Sequence, residues 1–204
     1  MITDPWLIEK RSFEIIESEI KSTVSEEHKA VIYRVIHTTA DFEYAEITEI
    51  GSGAIDKGMS AIRSGCRIYC DTNMISAGVN KKLLAKYGCD IYTYIADREI
   101  ADEAASRGVT RSIAGMERAL KENDTKLFII GNAPTALSVL TDGINSGRVD
   151  PSLVIGVPVG FVGAAESKDE LKASGAPCII TRGRKGGSTV AVAIINAILL
   201  MMEK

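Results

Sequence analysis

The chain carries no surplus of positive charge, and nucleic-acid binders are therefore the first class excluded. A net charge of −3 leaves nothing with which to neutralise a run of phosphates. Its four cysteines, Cys66, Cys70, Cys89 and Cys178, contain no C-x-x-C pair. Three of them sit in or beside apolar runs, where a reduced, buried thiol is the usual finding, so no metal site built on them is expected. No basic start followed by an apolar stretch opens the sequence, so no signal peptide is read and a cytoplasmic location is expected. The longest apolar run, Val190 to Met202, is broken by Asn196 and too short to span a bilayer, so no membrane partner is expected. There are only two histidines, His28 and His37, so any acid–base chemistry resting on imidazole has few places to sit.

What is present is an alternation of short apolar strands and helices. The sequence has 204 residues, 46% apolar and 25% charged, which suits one folded domain with a sizeable core. Helical spacing is clear at 5–20 and again at 26–37, while 38–50 is ambiguous. From residue 53 onward the pattern predicts strands at 67–70, 90–95, 126–130, 153–157 and 178–181. Helices are expected at 54–64, 75–87, 98–107, 112–122, 134–145, 169–173 and 189–202. These elements predict a three-layer α/β/α domain with a five-stranded, mostly parallel sheet, preceded by an N-terminal helical preface of ~50 residues.

In an open parallel sheet, ligands bind beyond the carboxyl ends of the strands. The residues that follow the predicted strands are Asp71–Thr72–Asn73, Asp97–Arg98, Asn132, Pro158 to Phe161, and Arg182 to Lys185. The stretch LVIGVPVGFVGAAESKDEL, 153–171, stands out because Phe161 and Val162 lie among Gly156, Gly160 and Gly163. A loop needed only to reverse the chain has no use for two large apolar residues at its centre. The stretch therefore reads as the wall of a pocket for a large, partly apolar and partly anionic molecule, with a ligand-free strand–helix turn as the alternative. The run TRGRKGGSTV, 181–190, reads as an anion site. Gly187 leads into Ser188 as an N-cap, and free backbone N–H groups point at a loop carrying Arg182, Arg184 and Lys185. Neither run has the spacing of a P-loop, and GSG at 51–53 is no dinucleotide fingerprint. Asp71, Asp97 and Asn132 either face a ligand or cap the helices that follow, and for the two aspartates capping is the stronger reading.

His28, beside Glu26 and Glu27, reads as a surface residue. His37 ends an apolar helical run, where the helix dipole favours imidazolium by about 0.3–1 kcal/mol. Arg34, three residues back on the same face, opposes that. The balance suits a group that gives and takes a proton, although from spacing alone a structural role is the stronger reading.

Several long motifs then carry a resemblance. IEKRSFEII (8–16), RVIH (34–37), TRS (110–112), IGNAPTAL (130–137), GVPVGFVGAAESK (156–168) and RGRKGGSTVAVAIINA (182–197) occur in the order and spacing of one family. The chain resembles precorrin-8X methylmutase and its cobalt-precorrin-8 counterpart of corrinoid biosynthesis, from about Pro5 to Leu199. The resemblance implies a parallel α/β/α fold and a homodimer with the substrate pocket near the subunit interface. It implies transfer of a methyl group from C11 to C12 of (cobalt-)precorrin-8 to give a cobyrinate-type product, with no cofactor. His37 matches the family's proton-handling histidine. Ser12, with Arg11 beside it, and Arg111 match its substrate-contacting positions. The glycine-rich loops match too, placing Asn132, Gly160, Phe161, Gly163, Arg182, Arg184, Gly187 and Ser188 at the substrate, with Arg34 beside the histidine. Two other classes compete. A pigment carrier would bind without turnover, and a flavin- or nucleotide-binding α/β protein is disfavoured by the missing phosphate fingerprints.

Overall fold

The computed structural model describes residues 3–122 and 124–203. The first helix, α1 (Pro5–Glu19), starts where the Asp4 side chain accepts from the backbone N–H groups of Trp6 and Leu7, with Pro5 in the first turn. It is followed by α2 (Glu26–Thr39), which ends at Ala40 in the left-handed region. The stretch that sequence left ambiguous forms a one-turn helix, α3 (Tyr44–Ile47), and a three-residue strand, β1 (Thr48–Ile50). Then come α4 (Ala54–Arg63), β2 (Arg67–Cys70), α5 (Asn73–Gly78), α6 (Lys81–Lys86) and β3 (Asp90–Tyr92). The chain continues with α7 (Arg98–Arg107), α8 (Arg111–Ala119), β4 (Thr125–Ile130), α9 (Pro134–Asn145) and β5 (Leu153–Gly156). It closes with α10 (Ala164–Ala173), β6 (Cys178–Thr181) and α11 (Ser188–Met201).

The sheet has six strands, one more than the five expected, in the order β1-β6-β5-β4-β2-β3. The extra strand is β1, which pairs antiparallel with β6 through Thr48–Thr181 to Ile50–Ile179. With Thr48, Glu49 and Ile50, the strand is too short for period-two alternation to register. The other five strands pair in parallel. Their order is doubly wound, starting at β2 and running outward in both directions, so the topological switch lies between β2 and β4.

Two hydrophobic cores flank the sheet. Ile68, Cys70, Leu127, Ile129, Ile155 and Ile179 pack one face against α2, α4, α5 and α11, with α1 outside them. Tyr69, Phe128, Ile130, Val154 and Ile180 pack the other against α8, α9 and α10. The strands bury both faces, which is why they read as continuous apolar runs.

The strand expected at 90–95 ends at Tyr92 and the helix expected at 112–122 ends at Ala119. Two other helices differ further from the sequence reading. The expected helix 75–87 is two helices, because the chain breaks at Val79–Asn80. Asn196, the polar residue interrupting the last apolar run, satisfies that break: its Oδ1 accepts from the Asn80 N–H and its amide donates to the Gly78 carbonyl. The expected short helix at 169–173 begins at Ala164, because Gly163 at φ +74° supplies the left-handed turn into it.

Candidate active site

The switch-point edge is assembled around a buried carboxylate. Asp71 follows β2, is 1% exposed, and does not cap its own helix; Thr72 does that, accepting from the Ile75 N–H. Instead, Asp71 Oδ1 accepts from the Gly131 N–H at 2.9 Å. Its Oδ2 accepts from the Asn132 and Ala133 N–H groups at 2.9 and 2.8 Å. Both oxygens accept, which is the geometry of an ionised carboxylate. Burial pushes the carboxyl up from the ordinary aspartate value, against the pull of the three backbone donors. The result fixes the turn between β4 and α9, and it leaves Asn132 exposed at the edge.

The two glycine-rich segments are tied to each other. The Gly160 N–H donates to the Arg184 carbonyl at 3.1 Å, and the Gly187 N–H to the Val157 carbonyl at 2.8 Å. A side chain on Gly186 would collide with the Val157 carbonyl oxygen. Gly163 packs toward Pro134. Ser188, the first residue of α11, hydrogen-bonds Thr72 at 3.0 Å, and its backbone sits against Gly131. Asn132, Gly160, Phe161, Gly163, Arg184, Gly187 and Ser188 are therefore brought to one edge, as their sequence positions predict.

The cations of the 182–187 segment divide. Lys185 is committed to Asp41 and to Glu43, which hold it charged, and Arg182 is committed to Glu49 at 3.1 Å and to the Glu46 carbonyl at 2.7 Å. Arg184 takes no carboxylate among the described residues and lies over the Phe161 ring at 5.4 Å. Of the three, Arg184 is the one left to meet an anion. Phe161 and Val162 are 84% and 89% exposed, so they stand out from the chain rather than walling a pocket within it.

A second cluster gathers where α1 crosses α2. His37 is exposed in the last turn of α2, edge-on to Phe13 at 5.6 Å, and its imidazole makes no hydrogen bond or ion pair among the described residues. Arg34 also lies over the Phe13 ring, at 5.0 Å, and pairs with Glu9. Its charge is thereby engaged away from the imidazole. The Asp41 and Glu43 carboxylates that hold Lys185 follow this end of α2, so the cluster abuts the glycine edge. Arg11 pairs with Glu14, one turn further along its own helix, at 3.0 Å, and the Ser12 hydroxyl donates to the Ile8 carbonyl. Arg111 opens α8 on the opposite layer of the sheet from α1 and α2. No hydrogen bond or ion pair of the described residues joins it to His37.

Two grooves run along the outside of α11. One, about 410 Å³, is lined by Glu9, Phe13, Tyr33, Arg34 and Leu200; the other, about 340 Å³, by Arg34, Thr38, Met74, Thr189 and Leu200. The cysteines are poor nucleophiles here, since burial pushes the Cys66 and Cys70 thiols up to about 12.

Sequence reasoning underrated Asp71 and missed the buried Lys168 and the Thr72–Ser188 contact. An aspartate directly after the apolar Ile68–Cys70 run at the switch point is the one available signal for the first. Nothing in the local pattern marks the other two.

A doubly wound sheet with backbone donors, a free arginine and an unpartnered imidazole at its carboxyl edge defines an α/β enzyme acting on an anionic small molecule. Comparison with known proteins gives the family. Residues 7–201 match the family model described as precorrin-8X methylmutase. The chain is 46% identical to the cobalt-precorrin-8 methylmutase of Salmonella typhimurium, covering 100% of this chain and 98% of that one. It is 42% identical to the one from Leptospira interrogans, covering 97% and 94%. A crystal structure of the precorrin-8X methylmutase from Thermus thermophilus superposes with a TM-score of 0.87 at 36% identity, covering 96% of this chain and 97% of that one. The chain belongs to the precorrin-8X methylmutase family, and it is an intramolecular methyl-transferring isomerase of corrinoid biosynthesis. Nothing supports the carrier alternative. Among the described residues no helix is long and apolar enough to cross a membrane.

Proposed function

We propose that the chain moves the methyl group of cobalt-precorrin-8 from C11 to C12, with His37 handling the proton. The observation that carries this is the state of His37: exposed, fixed by the Phe13 ring, and free of any protein partner among the described residues. The two relatives described above, at 42% and 46% identity, are named for the cobalt-containing substrate, which supports that form over the metal-free one. The metal belongs to the substrate.

The migration takes place within one conjugated ring, so it needs no external nucleophile. The proton that the imidazole delivers to the macrocycle makes the receiving carbon electron-poor, and its return after migration leaves an isomer of the starting material. Rigid seating of the ring then selects one product. Arg184 and the backbone N–H groups at the start of α11 suit the rim carboxylates. Phe161 and Val162 suit the flat apolar body. Arg11, Ser12, Arg34, Arg111, Asn132 and Arg182 complete the substrate-facing set, with Arg34 and Arg182 acting through their held positions.

The acting unit is a homodimer of single-domain subunits. Trp6, Leu7, Ile8, Ile15, Met74 and Leu200 are exposed on the face built from α1, α5 and α11, a concentration of apolar surface that marks an interface. Each groove on that face is at the small end for a ligand pocket, and smaller than a carboxylate-rimmed macrocycle requires. A second copy over the same face encloses the ring beside His37. The cytoplasm, a reducing compartment, suits a chain whose four cysteines are free thiols.

His37→Ala tests the reading. With cobalt-containing and metal-free substrates followed optically in separate cuvettes, conversion falls at least a hundredfold while pigment still binds. Unchanged conversion removes the role of His37.

A further inference from the structure

Lys168 lies in the first half of α10 and is 0% exposed, yet no carboxylate pairs with it among the described residues. Its ammonium donates to the Lys185 carbonyl at 3.0 Å and to Thr181 Oγ1 at 3.4 Å. The Thr181 hydroxyl in turn donates to the same Lys185 carbonyl at 2.7 Å. A charge buried without a counter-ion is costly, and a methionine would fill the space more cheaply. The three-way junction sits beneath the 182–187 segment, on the side away from its exposed Arg184.

We propose that Lys168 is a positioning residue for substrate carboxylates: by gripping the Lys185 carbonyl from below, it fixes the segment that presents Arg184 and the start of α11. The inference rests on the site reading above.

The surroundings make the device sensitive to pH. Burial pushes the Lys168 ammonium down to about 8, and among the described residues Asp169 beside it on α10 is the one charged side chain acting on it, in the direction that keeps it protonated. Thr181 on β6 is uncharged, Lys185 turns its own ammonium away to Asp41 and Glu43, and Glu170 on α10 accepts from Ser138 of α9. As pH rises through about 8 the grip loosens from a charge-assisted hydrogen bond to a neutral one.

The test is KM and kcat for the optical conversion across pH 6.5 to 9.5 in the wild-type, Lys168→Met and Thr181→Val proteins, with a thermal melt of each. In Lys168→Met, KM at pH 7 rises about tenfold, roughly what one charge-assisted hydrogen bond is worth, while kcat stays within about threefold. The wild-type KM climbs as pH passes about 8, and the Lys168→Met KM is flat. The variant melts no lower than the wild type, because a buried charge has been removed. Thr181→Val keeps the ammonium, so its KM rises less and retains the wild-type pH dependence. An unchanged KM at pH 7 in Lys168→Met, or one that keeps the wild-type pH profile, overturns the proposal. If Lys168→Met does not fold, an unchanged KM in Thr181→Val overturns it. A wild-type protein that converts neither substrate overturns the site reading and this inference together.

Discussion

Replacing Asp71 by asparagine changes one atom and tests whether the ligand edge hangs on that carboxylate. Three backbone N–H groups, of Gly131, Asn132 and Ala133, converge on its two oxygens at 2.8 to 2.9 Å. An asparagine can serve two of them at best. With its carbonyl oxygen on the Asn132 and Ala133 side, its NH2 faces the Gly131 N–H, setting two donors against each other in a site only 1% exposed. One charge-assisted bond is then lost, worth about 1.5–3 kcal/mol, and a buried donor left unpaired costs a further ~1–3 kcal/mol. The two remaining bonds also weaken as their acceptor loses its charge. The sum is about 3–5 kcal/mol, a large part of the 5–15 kcal/mol that holds a typical domain folded. Urea unfolding at neutral pH reads this as a lower midpoint at unchanged slope, and at ~2–4 °C per kcal/mol the melt drops by about 6–20 °C. A loss below about 1 kcal/mol would refute the idea that Asp71 holds the β4–α9 turn.

Gly131→Ala places a methyl 2.9 Å from Ser188 Cα and 3.0 Å from its N, both backbone atoms that can yield only if the start of α11 moves. A cost of about 1–3 kcal/mol in stability and a raised KM are expected together, from a melt and the optical assay; if neither changes, the close approach of β4 to α11 is unimportant. Met74→Asp puts a charge on a side chain that is 61% exposed in the single chain. If the proposed homodimer forms through this face, the variant sediments as a monomer where the wild type sediments as a dimer, and a variant that stays dimeric places the interface elsewhere.

The layers and five of the six strands were legible because strands buried on both faces leave uninterrupted apolar runs such as Leu127–Ile130 and Ile179–Ile180. The antiparallel β1 was not, since three residues carry no period. The break between α5 and α6 was hidden too, because Asn196, which satisfies it, lies more than a hundred residues away in sequence. The site was half legible. Glycines and cations concentrated after strand ends marked the edge, but charge alone could not show that Arg182 and Lys185 are already spent on Glu49, Asp41 and Glu43. Nor could local pattern show that Lys168, five residues after a glycine, is sealed in the interior while Phe161 stands outside.

Both outermost strands of the sheet, β1 and β3, are three residues long. Neither offers a row of free backbone groups long enough to template another chain. Short rims of this kind work against edge-to-edge stacking into fibrils when the protein is concentrated.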